Sequence, residues 1–373
     1  MDSEFLAALF YSVFITVSVM SGLICLHHYV ALGAKPRYLH VLVVALSYFA
    51  NMICWLEVLV IMMNLPIAVY TNTFFSWICM INVVLLYHFF YLVTGVGQQR
   101  RFSPVHYVIP TLIAIGLTAW ASTIPFEVRS EVLFYTERIS SGLSAFAIVY
   151  ILLPLSYTIY GLIYAVFTYR RMILYHREVL NFSADARRTS PLWITYFLLF
   201  LLASTCAPVF SVLAVNLGIP SWLHVTLIPI PLGLIFLAYN VVMGNYVIIE
   251  STASEVYADD DRQTRAISRP RFEYYMEKKK PYLNPNLCIT DMLEELNTNR
   301  TYLSNFINNE YHMNFNDLMN YYRLREIERL RLDESLRKQN SLELIQKAGF
   351  SSYRGYIAAG RREYRHKLIP RRF

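Results

Sequence analysis

Residue types able to carry chemistry are sparse in this chain and fall in two places: a few polar side chains inside long apolar runs, and a basic last quarter. Within the apolar part, Glu57 is the acidic residue that lies well inside a run, with Asn51 about two turns before it. Asn82 falls in the middle of the third run and His224 opens the last. Polar groups at membrane depth are costly, so they mark where a site is to be sought. Glu57, Asn51 and His224 are therefore the candidate signal pocket, facing outward. The competing reading is that Glu57 and the asparagines bond to neighbouring helices and hold a bundle together. The five cysteines show no CxxC and no metal-ligand spacing, and His27, His28 and His88 lack a ligand-spaced partner. No phosphate loop or nucleophile constellation is present, so no catalytic residue, metal or cofactor is expected.

The charge is unevenly placed. Lys278 to Phe373 holds 18 Lys and Arg against 11 Asp and Glu, while the rest of the chain is balanced at 15 against 15. The whole formal net charge of +7 thus belongs to the C-terminal end. A basic module of this size suits a polyphosphate partner, because each phosphate neutralised releases condensed counterion. A basic tail resting on anionic lipid is the alternative.

The pattern inside that end decides between them. Ile289, Met292, Leu293 and Leu296 share one face of a short helix, Asn297-Thr298-Asn299 interrupts it, and Asn299 can cap a second helix carrying Tyr302, Leu303, Phe306 and Ile307. A longer helix from Phe315 to Leu332 follows, with Phe315, Leu318, Met319 and Tyr322 inward and an Arg-rich outer face. The scheme then repeats: Ser341 can cap a helix through Ala348, Gly349-Phe350 turns the chain, and Ser352 can cap another. Two short helices joined by a polar turn make a helix-turn-helix, whose second helix can enter a DNA major groove. The segments YLSNFIN, NFNDLMNYYRLREIERL and AGFSS give this region a resemblance to the paired helix-turn-helix domain of the AraC family of bacterial transcription regulators. The resemblance implies that Arg300, Thr301, Ser304 and Asn305 read bases in the first head, and that Tyr353, Arg354 and Ala358 hold the matching positions in the second. Arg361 and Arg362 are then phosphate clamps. Where the family places two phenylalanines in the second recognition helix, this chain has Tyr356 and Gly360.

With 56% hydrophobic residues, the remainder reads as membrane-embedded. Seven stretches are long enough to span: Phe5 to Tyr29, Leu39 to Met63, Ile67 to Val96, Val105 to Ile124, Ser141 to Tyr169, Leu192 to Leu217 and Trp222 to Ile249. Asp2 and Glu4 precede the first, where a signal peptide would be basic, so it is expected to remain as a span. Lys35, Arg37, Arg100, Arg101, Arg170, Arg171, Arg177, Arg187 and Arg188 lie in one set of connections, against Arg129 and Arg138 in the other. The positive-inside rule then puts the N-terminus outside and the C-terminus in the cytoplasm.

The expected architecture is all-α: a seven-transmembrane helical bundle (1–249), a polar cytoplasmic linker (250–269) and an AraC-like double helix-turn-helix domain (270–373). The expected function is a membrane-embedded, one-component transcription regulator of the bacterial cytoplasmic membrane. Its partners would be double-stranded DNA, the lipid bilayer, and a small-molecule or membrane-protein signal; a homodimer is compatible with this. The competitors are a membrane sensor whose C-terminal domain contacts a protein, and a transporter or enzyme with a regulatory tail.

Overall fold

In hydrocarbon, a backbone must satisfy its own polar groups, and a run of twenty or more apolar residues does so as a helix. The structure, a computed structural model, describes residues 3–95, 102–134, 145–185, 193, 195–196, 198–199, 229–248, 267–332 and 340–368. Among these, every regular element is helical. The chain divides into two compact units, one formed by Met1–Thr94, Arg100–Arg171 and Leu192–Met243, the other by Gly95–Gln99, Met172–Pro191 and Gly244–Phe373.

The first unit contains α1 (Ser3–Ala31), α2 (Leu39–Met62), α3 (Ala68–Val93), α4 (Val105–Ser122), α5 (Phe126–Phe134), the first part of α6 (Ala145–Phe182) and α7 (Pro229–Val242). Five of these, α1 to α4 and α6, are long and apolar enough to cross a bilayer. Their outward Leu, Ile and Val side chains, such as Leu23 at 50% and Leu112 at 63% exposure, are an unfavourable surface for water and a suitable one for lipid. The chain is a membrane protein. The expected count of seven spans is met by five among the described residues. The sixth stretch and His224 lie largely or wholly outside them, and the described part of the seventh, α7, has 14 residues where about 20 are needed.

Packing follows small residues and aromatic pairs. Gly22 on α1 lets α2 approach so closely that a Cβ there would meet Phe49 and Tyr48 at 3.2 Å. Phe14 packs on Trp55 with ring centroids 4.4 Å apart and joins Ile230 of α7 in one core cluster. The Tyr48 hydroxyl donates to the Leu234 carbonyl at 2.7 Å, which ties α2 to α7. Between α3, α4 and α6 two histidines pair with tyrosines, His88 Nδ1 with the Tyr107 hydroxyl and His106 Nδ1 with the Tyr164 hydroxyl, both at 2.9 Å. The connection after α4 contains α5, on which Phe126 stacks against Tyr70 with ring centroids 5.5 Å apart.

The second unit holds the end of α6, then α8 (Arg269–Lys279), 3-10 turns at Pro281–Leu283 and Ile289–Met292, α9 (Leu293–Leu296), α10 (Arg300–Tyr311), α11 (Phe315–Leu332), α12 (Ser341–Lys347) and α13 (Tyr353–Leu368). Phe272, Met276, Ile289, Met292, Leu296, Leu303, Ile307, Phe315, Leu318 and Met319 are buried around the first helix pair. Ile327, Ile345, Ala348, Phe350 and Ala359 form the core of the second. The helix α11 serves both, which is why its apolar residues run through its whole length.

This unit reaches back beyond the boundary at 270 drawn from sequence. Met172, Tyr175, Val179 and Phe182, on the last turns of α6, are buried, and Ser183, Ala184 and Asp185 follow them into the interior. The Tyr175 hydroxyl donates to the Val247 carbonyl at 2.8 Å and accepts from the Val247 amide at 3.0 Å, holding the chain just after α7 as well. Most of the linker at 250–269 lies outside the described residues.

Candidate nucleic-acid interface

The first helix pair is built as its residues dictate. Asn297 ends α9 in the left-handed region at φ 47°, a C-cap role that Asn tolerates. Asn299 is extended, and its Oδ1 accepts from the Tyr302 amide at 2.9 Å, so α10 starts from the cap that its type and position require. In the second pair the cap is Asn340, whose Oδ1 accepts from the Leu342 amide at 3.2 Å, one residue ahead of the expected Ser341. Gly349 makes the turn at φ 92°, and the Ser352 hydroxyl caps α13 by accepting from the Gly355 amide at 3.2 Å.

On α10, Thr301 and Asn305 are exposed and Ser304 is half-buried, with its hydroxyl near the Asn308 amide at 3.5 Å. Arg300 differs. Its side chain is 17% exposed, its Nη2 lies 3.4 Å from Glu178 Oε2, and its guanidinium carbon sits 5.2 Å from the centre of the Phe182 ring. On α13, Tyr353, Arg354, Ala358 and Arg361 are exposed and fall on one side of the helix. Arg362 is turned about 100° from Arg361 and faces α11. Its Nη1 lies 3.3 Å from Asp317 Oδ1 and 3.4 Å from Asn316 Oδ1. The two arginines expected to act alike thus have different surroundings.

Below this surface lies a buried polar network that sequence reasoning missed. Arg323, expected on an Arg-rich outer face of α11, is 1% exposed. Its Nε donates to the Tyr282 carbonyl at 2.7 Å, Nη1 to the Ala184 carbonyl at 2.7 Å and Nη2 to the Asn284 carbonyl at 2.8 Å. Burial lowers its pKa from the ordinary 12.5 to about 10, and Asp185 acts in the opposite sense. It stays cationic at neutral pH. One turn on, Glu326 is also buried; it pairs with Lys280 at 3.0 Å and Arg329 at 3.0 Å, and accepts from the Tyr282 hydroxyl at 3.3 Å. Burial, and next the Glu326 carboxylate, push the Tyr282 hydroxyl pKa up. A signal for Arg323 was present: it lies four residues after Met319 and four before Ile327, in the inward stripe.

Tyr356 packs against the second core, its ring 5.8 Å from Phe350. Ala359 is buried there, whereas a Cβ on Gly360 would meet nothing within 4 Å. Gly360→Ala is therefore expected to stabilise the protein by about 1 kcal/mol through helix propensity, read as a raised melting temperature in detergent. A lowered one would show that α13 needs the glycine.

In the membrane unit the structure does not bring Asn51 and Glu57 together. Six residues apart, they point roughly 120° from each other around α2. Asn51 Oδ1 accepts from the Ser18 hydroxyl of α1 at 3.0 Å and from Trp55 Nε1 at 2.9 Å. Glu57 is buried and accepts from the Thr71 hydroxyl of α3, at 2.8 Å to Oε1 and 2.9 Å to Oε2. Both act between helices. Cys54 and Cys79 lie near Glu57 with their sulfurs 3.2 Å apart as free thiols. No group of three metal-ligating side chains occurs among the described residues. Comparison with protein-family models, with curated proteins and with solved structures finds no match.

Proposed function

We propose that this membrane protein is a one-component transcription regulator: a helical membrane part that senses a small molecule, a membrane property or a membrane-protein partner, and a C-terminal helical unit that binds promoter duplex on the cytoplasmic side of a bacterial inner membrane. The observation that carries the reading is the pair of capped helices, α10 and α13. Each follows a tight left-handed turn and exposes base- or phosphate-competent side chains over its first turns, on the part of the chain that holds all the net positive charge. The arrangement and its order match the AraC-like pattern of the sequence, which supports an AraC-like domain. Arginines in alternate connections support a cytoplasmic C-terminus.

The test is a titration of full-length protein in bilayer discs with duplex from its own upstream region and with unrelated duplex, over a salt series. Binding that weakens linearly in log salt and favours one sequence supports the reading. No binding to any duplex at low salt sinks it.

Side chains should then divide by class. Asn305→Ala is expected to change sequence preference by about 1 to 3 kcal/mol at one base pair, whereas Arg361→Ala should weaken all sites alike and reduce the salt slope by about one. Competition assays with single-base variants read both. A uniform loss from both substitutions would place base readout elsewhere.

A further inference from the structure

Arg300 is a base-reading candidate on α10 whose charge already has a partner inside its own chain. We propose that the end of α6 is a built-in competitor for DNA: Glu178 and Phe182 occupy Arg300, and full engagement of duplex by α10 requires that this helix end let go. The inference rests on the DNA-binding reading of the same surface.

Three features carry it. The first is the contrast along α10: Thr301 and Asn305 are exposed, whereas Arg300 keeps 17% of its side-chain surface. The second is chemical likeness. A carboxylate oxygen 3.4 Å from Nη2 and a ring centred 5.2 Å from the guanidinium carbon supply what a phosphate oxygen and a base face would supply. The third is that the competitor is held in place. Immediately after Phe182, the Ser183 carbonyl accepts from Asn316 Nδ2 at 2.9 Å, and the Ala184 amide donates to the Leu287 carbonyl at 2.9 Å. The Ala184 carbonyl accepts from Arg323, and the Ser351 hydroxyl donates to Asp185 Oδ1 at 3.3 Å. Ser183, Ala184 and Asp185 are all buried. A loose tail would dissociate by chain entropy; this one is fixed through four hydrogen-bonded groups within three residues.

The regulation has a direction. Glu178 and Phe182 belong to the same helix that begins at Ala145, so a turn or slide of that helix displaces both together. With the helix end seated, Arg300 is neutralised and shielded. With it displaced, α10 regains a guanidinium at its first position, where phosphate and guanine contacts are made.

The test uses full-length protein in bilayer discs and measures duplex affinity over a salt series. Glu178 is 43% exposed, so its replacement leaves the core intact. Glu178→Gln is expected to bind roughly threefold to fivefold tighter than the unaltered protein, in keeping with a partly exposed ion pair. Glu178→Arg should be tighter still, with a salt slope steeper by about one. Removing a carboxylate near DNA could help for general electrostatic reasons, so the same change is made in an Arg300→Ala background, where the gain should vanish. Equal affinities for the unaltered and Glu178→Gln proteins overturn the inference and leave DNA binding standing. An undiminished gain in the Arg300→Ala background overturns it as well. If no form binds duplex, the DNA-binding reading falls and takes the inference with it.

Discussion

Arg323→Met is expected to destabilise the C-terminal unit by about 3 kcal/mol, although it replaces a buried cation with an apolar side chain of similar length. Two effects compete. Removing the guanidinium relieves a desolvation penalty that is large for any buried ion, and exchange of a whole buried ion pair for apolar groups is often neutral. Here that outcome is closed off, because the three main acceptors are the backbone carbonyls of Tyr282, Asn284 and Ala184, which no substitution can remove. Each loses a charge-assisted bond, and a buried polar group left unmet costs about 1 to 3 kcal/mol. The Tyr282 and Ala184 bonds are buried and the Asn284 bond partly so, and their combined loss, about 3 to 9 kcal/mol gross, exceeds the relief over most of that range. The loss should also be local before it is global. Hydrogen exchange of full-length protein in detergent is expected to show the Ala184 amide and the 282–284 turn losing protection together, while α1 to α3 keep theirs. Arg323→Lys keeps the charge but has no planar fork to reach three divergent carbonyls, so it should fall between. Unchanged protection at Ala184 in Arg323→Met would show that residues 183–185 are held by the surrounding apolar contacts instead.

The same residue shows how far the sequence could be read. Hydropathy located α1 to α4 to within a few residues, because uninterrupted apolar composition leaves a helix as the way to satisfy the backbone. It placed the end of the fifth stretch at Tyr169, whereas α6 continues to Phe182. Composition changes at the lipid edge, but periodicity does not: Met172, Tyr175, Val179 and Phe182 repeat at helical spacing and are buried in the C-terminal unit. That stripe was legible, and the partner of the stripe was not, since one sequence does not say which distant helices an amphipathic face meets. Arg323 failed for a related reason. Charge was taken to mean surface, yet its position in the apolar stripe of α11 outranks its type once carbonyls are there to receive it. The caps at Asn299 and Ser352 were readable because capping is settled within four residues. Asn51 and Glu57 shared a helix in the sequence, and their angular separation sends them to different neighbours.

Gly349→Ala should be the most damaging single-methyl change in the C-terminal unit, and comparison with two other glycines separates the reasons. Gly33, Gly244 and Gly349 all have positive φ, at 81°, 59° and 92°. An alanine at any of them pays backbone strain of about 1 to 2 kcal/mol. At Gly244 a Cβ would meet nothing within 4 Å, and at Gly33 it would touch the end of the Lys35 side chain at 3.6 Å, which can swing away. Those two substitutions therefore measure strain alone. At Gly349 the new Cβ would lie 2.8 Å from Leu283 Cα and 3.0 Å from its carbonyl carbon, and closer still to the Tyr282 oxygen. All three are backbone atoms, and the Tyr282 carbonyl is fixed by Arg323, so the turn between α12 and α13 must move away from the 281–283 turn. Overpacking of this kind adds about 1 to 3 kcal/mol, for a total of about 2 to 5. Thermal unfolding in detergent should rank Gly349→Ala well below the other two. Hydrogen exchange should place the damage in the 281–284 and 344–350 segments, and duplex affinity should fall with it while Thr301 and Asn305 remain in place. A Gly349→Ala protein that melts with Gly244→Ala would mean that the two turns part without cost, and that the second helix pair is not anchored through Tyr282 and Leu283.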